Sequence, residues 1–129
     1  MPRVLLIEDD DVFRDHVAHA LERARFDVAV ATDGEAGWAT LDAFAPQLVL
    51  LDLALPRLSG LSLLRRMRAH DRWRRVAVLV VSAHSDKAAD AVANGAQGYL
   101  IKGRFTTTQL IETVRRTLVA ASLREPSAA

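Results

Sequence analysis

The most regular feature of the sequence is a set of five short apolar runs, each followed by a segment with helical periodicity. The runs are Arg3–Ile7, Phe26–Ala31, Leu48–Asp52, Val76–Val81 and Gly98–Ile101. Short runs that are apolar on both faces are typical of buried parallel strands. Five such strands alternating with five helices predict an α/β domain, with right-handed crossovers and helices on both faces of a parallel sheet.

Residues that favour a turn or a helix amino terminus lie between the strands and the helical segments. In chain order they are Asp10 or Asp11, Asp33-Gly34, Gly60, Ser85 or Asp86, and Thr106–Thr108. We expect residues 1–122 to form one domain. The residues that follow, 123–129, are predicted to be a flexible tail or the start of a linker.

Composition excludes several classes of protein. Half of the 129 residues are apolar, which is enough for one domain with a full core. There is no cysteine, so disulfides and thiolate metal sites are excluded. A net charge of +1 gives no reason to expect a nucleic-acid or membrane surface. The longest apolar run is too short to span a bilayer and there is no secretory signal, so we expect a cytoplasmic protein.

Polar residues end four of the five runs. Glu8 and Asp9 follow the first run, Asp52 ends the third, Ser82 follows the fourth and Lys102 follows the fifth. Because the carboxyl ends of parallel strands form one crevice, we expect these side chains to lie together. Lys102 is one of only two lysines beside fifteen arginines, so its position at a strand end favours a specific role.

This set of residue types is suited to phosphoryl chemistry with a divalent metal. Clustered carboxylates repel unless a cation neutralises them, and Mg²⁺ prefers hard oxygen ligands of this kind. Asp52 is the candidate nucleophile, since an aspartate can form an acyl phosphate. Lys102 would bind one phosphoryl oxygen and the Ser82 hydroxyl another.

Four segments, in this order and spacing, resemble the receiver domain of bacterial two-component response regulators. They are Leu5–Asp10, Leu50–Pro56 with Gly60, Val80–Ala83 and Gly95–Lys102. The resemblance covers about residues 3–121. It implies a flavodoxin-like (βα)5 fold with a five-stranded parallel sheet in the order 2-1-3-4-5.

The resemblance also implies roles for the acidic residues. Asp52 matches the phosphoacceptor, which takes a phosphoryl group from a sensor histidine kinase or phosphotransfer protein. Asp9 matches a direct Mg²⁺ ligand, and Glu8 a residue that acts through water. The backbone carbonyl of Ala54 matches a further metal ligand, beside Asp52 itself.

The remaining matches concern phosphoryl binding and switching. Ser82 and Lys102 match the hydroxyl and the lysine that bind the phosphoryl group. Tyr99 matches an aromatic residue whose rotamer follows the hydroxyl. Phosphorylation is then expected to change the surface of helix 4, strand 5 and helix 5. The expected partners are the kinase and a downstream output protein or domain, and a homodimer formed on phosphorylation is among the expected assemblies.

The sequence departs from the family pattern at two positions near the site, Gly103 and Ala54. Gly103 follows the lysine where most members have proline, so we expect a trans and more mobile loop at residues 102–104. Ala54 replaces a commoner methionine and thins the wall beside the site. His84 is either a residue that affects the lifetime of the phosphate or an ordinary surface residue.

Two alternatives from other classes stay open on the residues alone. A Mg²⁺-dependent phosphatase of the haloacid dehalogenase type would use Asp9 as its nucleophile, although such enzymes need further acids late in the chain and none occurs between Lys102 and Glu112. A flavodoxin-like nucleotide binder is disfavoured by an acidic first loop. We expect a signalling phosphoacceptor, without other enzymatic activity, that stands alone or forms the front of a longer regulator.

One basic segment is left unassigned. Six arginines fall between residues 65 and 75, with Trp73 among them: Arg65, Arg66, Arg68, Arg72, Arg74 and Arg75. They form either a docking site for an acidic partner or nucleic acid, or a solvated helix face. The second interpretation is favoured, and direct nucleic-acid binding by this domain is not expected.

Overall fold

The computed structural model describes residues 1–124, and its elements alternate between strand and helix as the apolar pattern predicts. They are β1 (Arg3–Ile7), α1 (Asp11–Arg23), β2 (Asp27–Ala31), α2 (Gly34–Phe44), β3 (Leu48–Leu51), α3 (Gly60–Arg68), β4 (Ala77–Ser82), α4 (Ala88–Ala93), β5 (Gly98–Ile101) and α5 (Thr107–Arg124). The five strands form one parallel sheet in the order β2-β1-β3-β4-β5. The predicted fold class and strand order are confirmed.

The sheet is covered on both faces because its central strands are apolar at every position. All residues of β3 and β4 are buried, and so are four of the five residues of β1. Alternate side chains point to opposite faces. Leu6, Leu50 and Leu79 pack under α1 and α5, whereas Val49 and Val78 pack under the helices of the other face.

Four helices begin with a side chain that caps free backbone N–H groups; at α5 the Thr106 hydroxyl accepts from the N–H of Gln109. The Asp10 carboxylate accepts from Val12 and Phe13, and Asp33 caps α2 in the same way. The Ser59 hydroxyl caps α3. These caps hold the amino ends of the helices at the carboxyl edge of the sheet, which is the edge that carries the site.

The start of α4 was predicted wrongly. Neither Ser85 nor Asp86 caps it; both lie inside a short 3₁₀ turn, Ser85–Lys87, that precedes the helix and has no side-chain cap. Only six residues then continue as α-helix, up to Ala93. Small polar residues favour a helix start, but they fit a tight 3₁₀ turn equally well, so sequence does not separate the two.

The last helix runs to Arg124, two residues into the predicted tail. The other residues of that tail, 125–129, lie outside the described residues. Among the described residues, no helix combines the length and apolar character needed to cross a bilayer.

Candidate functional site

Backbone pairing brings the polar ends of four strands to one edge of the sheet. The N–H of Asp52 donates to the carbonyl of Ile7 at 3.1 Å, which fixes the end of β3 beside the end of β1. The N–H of Lys102 donates to the carbonyl of Ser82 at 2.9 Å, which fixes β5 beside β4. The order of strands therefore gathers side chains from distant parts of the chain.

Three carboxylates form the centre of the site. Glu8, Asp9 and Asp52 each place one oxygen so that all three lie within 4.8 Å of one another. Glu8 and Asp52 are buried, whereas Asp9 is exposed. Hard oxygen donors at this separation fit a small divalent cation with water ligands, so this donor set suits Mg²⁺.

The ammonium of Lys102 is the counter-charge to this cluster. It forms an ion pair with Glu8 and lies 3.3 Å from Oδ2 of Asp52. The same ammonium lies 4.6 Å from the centroid of the Phe13 ring, over its face. One cation thus contacts two acids and an aromatic face, and its half-buried position strengthens each contact.

Burial and neighbouring charges shift the pKa values of Glu8 and Lys102. Burial raises the pKa of Glu8 to about 7, because the loss of water outweighs the hydrogen bond from Lys102. For Lys102, burial acts to lower the pKa, but the contacts with Glu8 and Asp52 outweigh it and raise the pKa above its ordinary value. The lysine therefore stays charged, while Glu8 titrates near neutral pH.

The loop after β3 holds the backbone of Asp52 closely. The N–H of Ala54 donates to Oδ1 of Asp52 at 3.3 Å. The N–H of Gly60 donates to the carbonyl of Leu53 at 3.0 Å. A Cβ atom at Gly60 would lie only 2.1 Å from the carbonyl oxygen of Asp52, so only glycine allows α3 to begin this close to the site.

The end of β4 connects the site to an exposed loop. Ser82 is fully buried, and its hydroxyl accepts from the N–H of His84 at 3.4 Å. The hydroxyl of Tyr99, on β5, donates to the carbonyl of His84. Tyr99 is partly exposed, and its hydroxyl is bonded to this loop and not to a group in the buried interior.

The structure shows the backbone and surroundings at the two positions that depart from the family pattern, Gly103 and Ala54. Every peptide bond in the described residues is trans, as predicted for the loop after Lys102, and Gly103 has φ +82° with no atom within 4 Å of where a Cβ would lie. Beside Ala54 there is a largely apolar pocket of about 230 Å³ that His84 also lines.

The contact between Phe13 and Lys102 was not predicted from the sequence. Phe13 packs against the core, and its ring also lies under Lys102. Of the two predicted caps of α1, Asp10 is the one that caps the helix, and Asp11 pairs with Arg14 at 2.7 Å. The sequence offers one clue to this contact. Phe13 lies in the first turn of α1, soon after the end of β1.

Comparison with known proteins shows the family to which the chain belongs. The family model for the response regulator receiver domain matches residues 4–115. The DNA-binding dual master transcriptional regulator RpaA of Synechocystis is 36% identical, over all of this chain and 54% of its own length. The transcriptional regulatory protein CseB of Streptomyces coelicolor is 39% identical, over 89% of this chain and 48% of its own length. The chain thus spans about half the length of these relatives.

Solved structures share the fold. The crystal structure of NtrX from Brucella abortus superposes with a TM-score of 0.87 and 29% identity, over 95% of this chain and 28% of that protein. The chemotaxis response regulator CheY4 of Vibrio cholerae superposes with a TM-score of 0.84 and 25% identity, over 91% of this chain and 98% of that one.

Proposed function

The chain belongs to the response regulator receiver family, a family of phosphoacceptor signalling domains, and we propose that Asp52 is its phosphoacceptor. In the proposed reaction, a carboxylate oxygen of Asp52 attacks the phosphorus of a phosphohistidine on a sensor kinase or phosphotransfer protein. The new O–P bond forms as the N–P bond breaks, and the imidazole keeps the electron pair and takes up a proton. The product is an acyl phosphate.

The observation that carries this proposal is the contact of Lys102 with both Glu8 and Asp52. A half-buried ammonium that contacts both acids is already placed beside the carboxylate that would react. We propose that it moves from these acids to an oxygen of the incoming phosphoryl group. The Ser82 hydroxyl, at the end of the neighbouring strand, is proposed to donate to another oxygen.

We propose that Mg²⁺ is held by Asp9, Asp52 and the backbone carbonyl of Ala54, with Glu8 acting through water. The spacing of the three carboxylates supports this ligand set. When bound, the ion would neutralise charge between the acids and the phosphoryl group. Lys102 and the ion would then share the charges of the site, so the ion would favour ionised Glu8 when Lys102 turns to the phosphoryl group.

We propose that the switch passes through Ser82 and Tyr99. Movement of Ser82 toward a phosphoryl group would change the loop at His84, to which both Ser82 and Tyr99 are bonded. Tyr99 would then turn inward and alter the surface of α4, β5 and α5. Phosphorylation shifts the equilibrium only as far as it binds the two states differently.

The proposal also covers the partners to which the domain signals and the compartment in which it acts. The chain spans about half the length of relatives named as transcriptional regulators, so we propose that it signals to an output domain or partner, with dimerisation on phosphorylation. It would bind no nucleic acid or membrane itself, would act in the cytoplasm, and would have no activity beyond its own phosphorylation and dephosphorylation. The comparisons give no support to the phosphatase alternative.

The test is to incubate the protein with Mg²⁺ and acetyl phosphate and to map the phosphorylated residue by mass spectrometry. We expect one phosphate on Asp52 and none in Asp52→Asn. Asp11→Asn is the matched control, because Asp11 is exposed and outside the cluster. A label on Asp9, or a label that survives Asp52→Asn, would contradict the assignment.

A further inference from the structure

A second concave site lies at the opposite edge of the sheet. A cavity of about 280 Å³ opens where β1, β3 and β4 begin, and the last turns of α5 form one wall. Arg3, Arg72 and Arg75 line it. It is separated from the carboxylate cluster by the length of the strands, so the phosphoryl chemistry does not account for it.

The polar lining of this cavity consists of groups that can donate hydrogen bonds. Besides the three guanidinium groups, it contains the side chains of Gln47 and Ser122. The Oε1 atom of Gln47 already accepts from the N–H of Arg3 at 3.0 Å, which leaves its NH₂ group for a ligand. Among residues 1–124, no carboxylate lines the cavity. Such a lining favours an anion.

Two of the arginines are held in place before any ligand binds. The Nε of Arg3 donates to the carbonyl of Ala45 at 2.9 Å. Arg72 pairs with Asp42, and its Cζ lies 4.6 Å from the centroid of the Trp73 ring. Preorganised donors bind more tightly, because less side-chain entropy is lost on binding.

The cavity also carries uncompensated charge. Asp42 balances Arg72, but Arg3 and Arg75 have no carboxylate within 4.0 Å among residues 1–124. The lining also includes apolar side chains, among them Pro46 and Leu118. A ligand with an anionic end and an apolar body would match both parts.

We propose that this cavity binds a small phosphorylated molecule of about the size of a nucleoside monophosphate. Its phosphate lies between Arg3 and Arg75, whose planar guanidinium groups bind phosphate oxygens in pairs. Its apolar part lies against Pro46 and Leu118. The volume is near the lower end of the range of small-molecule pockets, roughly 300–1,000 Å³. The bound ligand thus contacts both the end of α5 and the start of β1.

The experiment is isothermal titration calorimetry on the Asp52→Asn protein, so that phosphorylation of the first site plays no part. The probes are AMP, pyrophosphate, adenosine and a tetraglutamate peptide. We expect AMP to bind with a Kd below about 1 mM, and adenosine to give no heat. Arg75→Gln should weaken AMP binding about tenfold or more. Ser122→Glu, which adds a carboxylate at an exposed helix position, should weaken it similarly.

Arg74→Gln is the matched control, because Arg74 is the exposed neighbour of Arg75 and does not line the cavity. Its AMP affinity should stay within about twofold of the parent. Equal weakening by Arg74→Gln and Arg75→Gln would overturn the proposal in favour of diffuse surface charge. Absence of binding by AMP and pyrophosphate would overturn it too. Binding of the peptide alone would overturn it and identify a protein-docking surface.

Discussion

The Nζ atom of Lys102 lies 4.6 Å from the centroid of the Phe13 ring, so the lysine of the carboxylate cluster rests on an aromatic side chain from α1. Lys102 is followed by Gly103, which has a positive φ and no neighbouring atoms at its Cβ position. The backbone beyond the lysine therefore does little to restrict it. Contacts at the ammonium itself, with Glu8, Asp52 and Phe13, hold it instead.

Phe13→Leu should slow phosphorylation of Asp52 by acetyl phosphate about threefold to tenfold. Leucine keeps the packing of α1 but removes a cation–π contact, which contributes about 0.5–2 kcal/mol. The rate at saturating Mg²⁺ is the measurement. Phe13→Tyr keeps the aromatic face and should restore most of the rate, while Val12→Ala, at a residue that is 81% exposed, should change nothing. A tyrosine variant as slow as the leucine variant would argue against the contact.

Mg²⁺ should raise the melting temperature, and Asp9→Asn should abolish most of that rise. A ligand that binds only the native state stabilises it by mass action. Asp9 is one of the three clustered carboxylates, whereas the side chain of Asp11 is 82% exposed and pairs with Arg14. Asp11→Asn is therefore the control and should keep the full rise. Equal rises in both variants would place the ion elsewhere.

The apo protein should lose stability relative to Glu8→Gln as pH rises from about 5 to 8. The pKa of Glu8 is raised from 4.5 to about 7 in the folded state, first by burial, so the folded state binds the proton more tightly than the unfolded one. The resulting stabilisation is fully present below pH 4.5 and is lost as pH rises through about 7. Urea denaturation in EDTA at several pH values measures the difference. A difference that stays constant with pH would contradict the shift.

Gly60→Ala should destabilise the protein more than Gly103→Ala. At position 60 the new Cβ would lie 2.1 Å from the Asp52 carbonyl oxygen, so α3 or the Asp52 backbone must move. At position 103 there is no collision, and the cost is only the left-handed backbone, about 1 kcal/mol. Phosphorylation should slow only in Gly60→Ala. Chemical denaturation and the acetyl phosphate assay test the two parts, and equal effects of both variants would contradict the close approach.

Arg68→Met should cost about 2–3 kcal/mol of unfolding free energy, since several carbonyls lose a charged donor. Arg68 donates to the carbonyl of Gly95 at 2.8 Å and to that of Val76 at 2.8 Å, and so joins α3 to the segments before β4 and β5. Burial lowers its pKa, but those carbonyls favour the charged form. Arg65→Met is the control, because the exposed side chain of Arg65 hydrogen-bonds only to Asn94 among the described residues. Equal losses in urea denaturation would refute a special role for Arg68.

The separate roles of the arginines between residues 65 and 75 could not be predicted from the sequence. Six arginines in eleven residues read alike along the chain. The structure separates them: Arg68 binds backbone carbonyls inside the fold, Arg66 lies 5.2 Å from the Trp38 ring centroid, and Arg72 and Arg75 line a cavity. The role of each arginine depends on residues that are far away in the sequence, so the segment alone could not predict it.

The sequence by itself determined the strands, their parallel arrangement and the polar residues at their ends, because a buried strand needs a continuous apolar run and parallel strands present their ends at one edge. Tertiary structure decided how closely the predicted acids meet: Glu8, Asp9 and Asp52 each place one oxygen within 4.8 Å of the others. It also decided that Phe13 supports Lys102. Phe13 lies on α1 and Lys102 follows β5, so their contact depends on the packing of two elements that are distant in sequence.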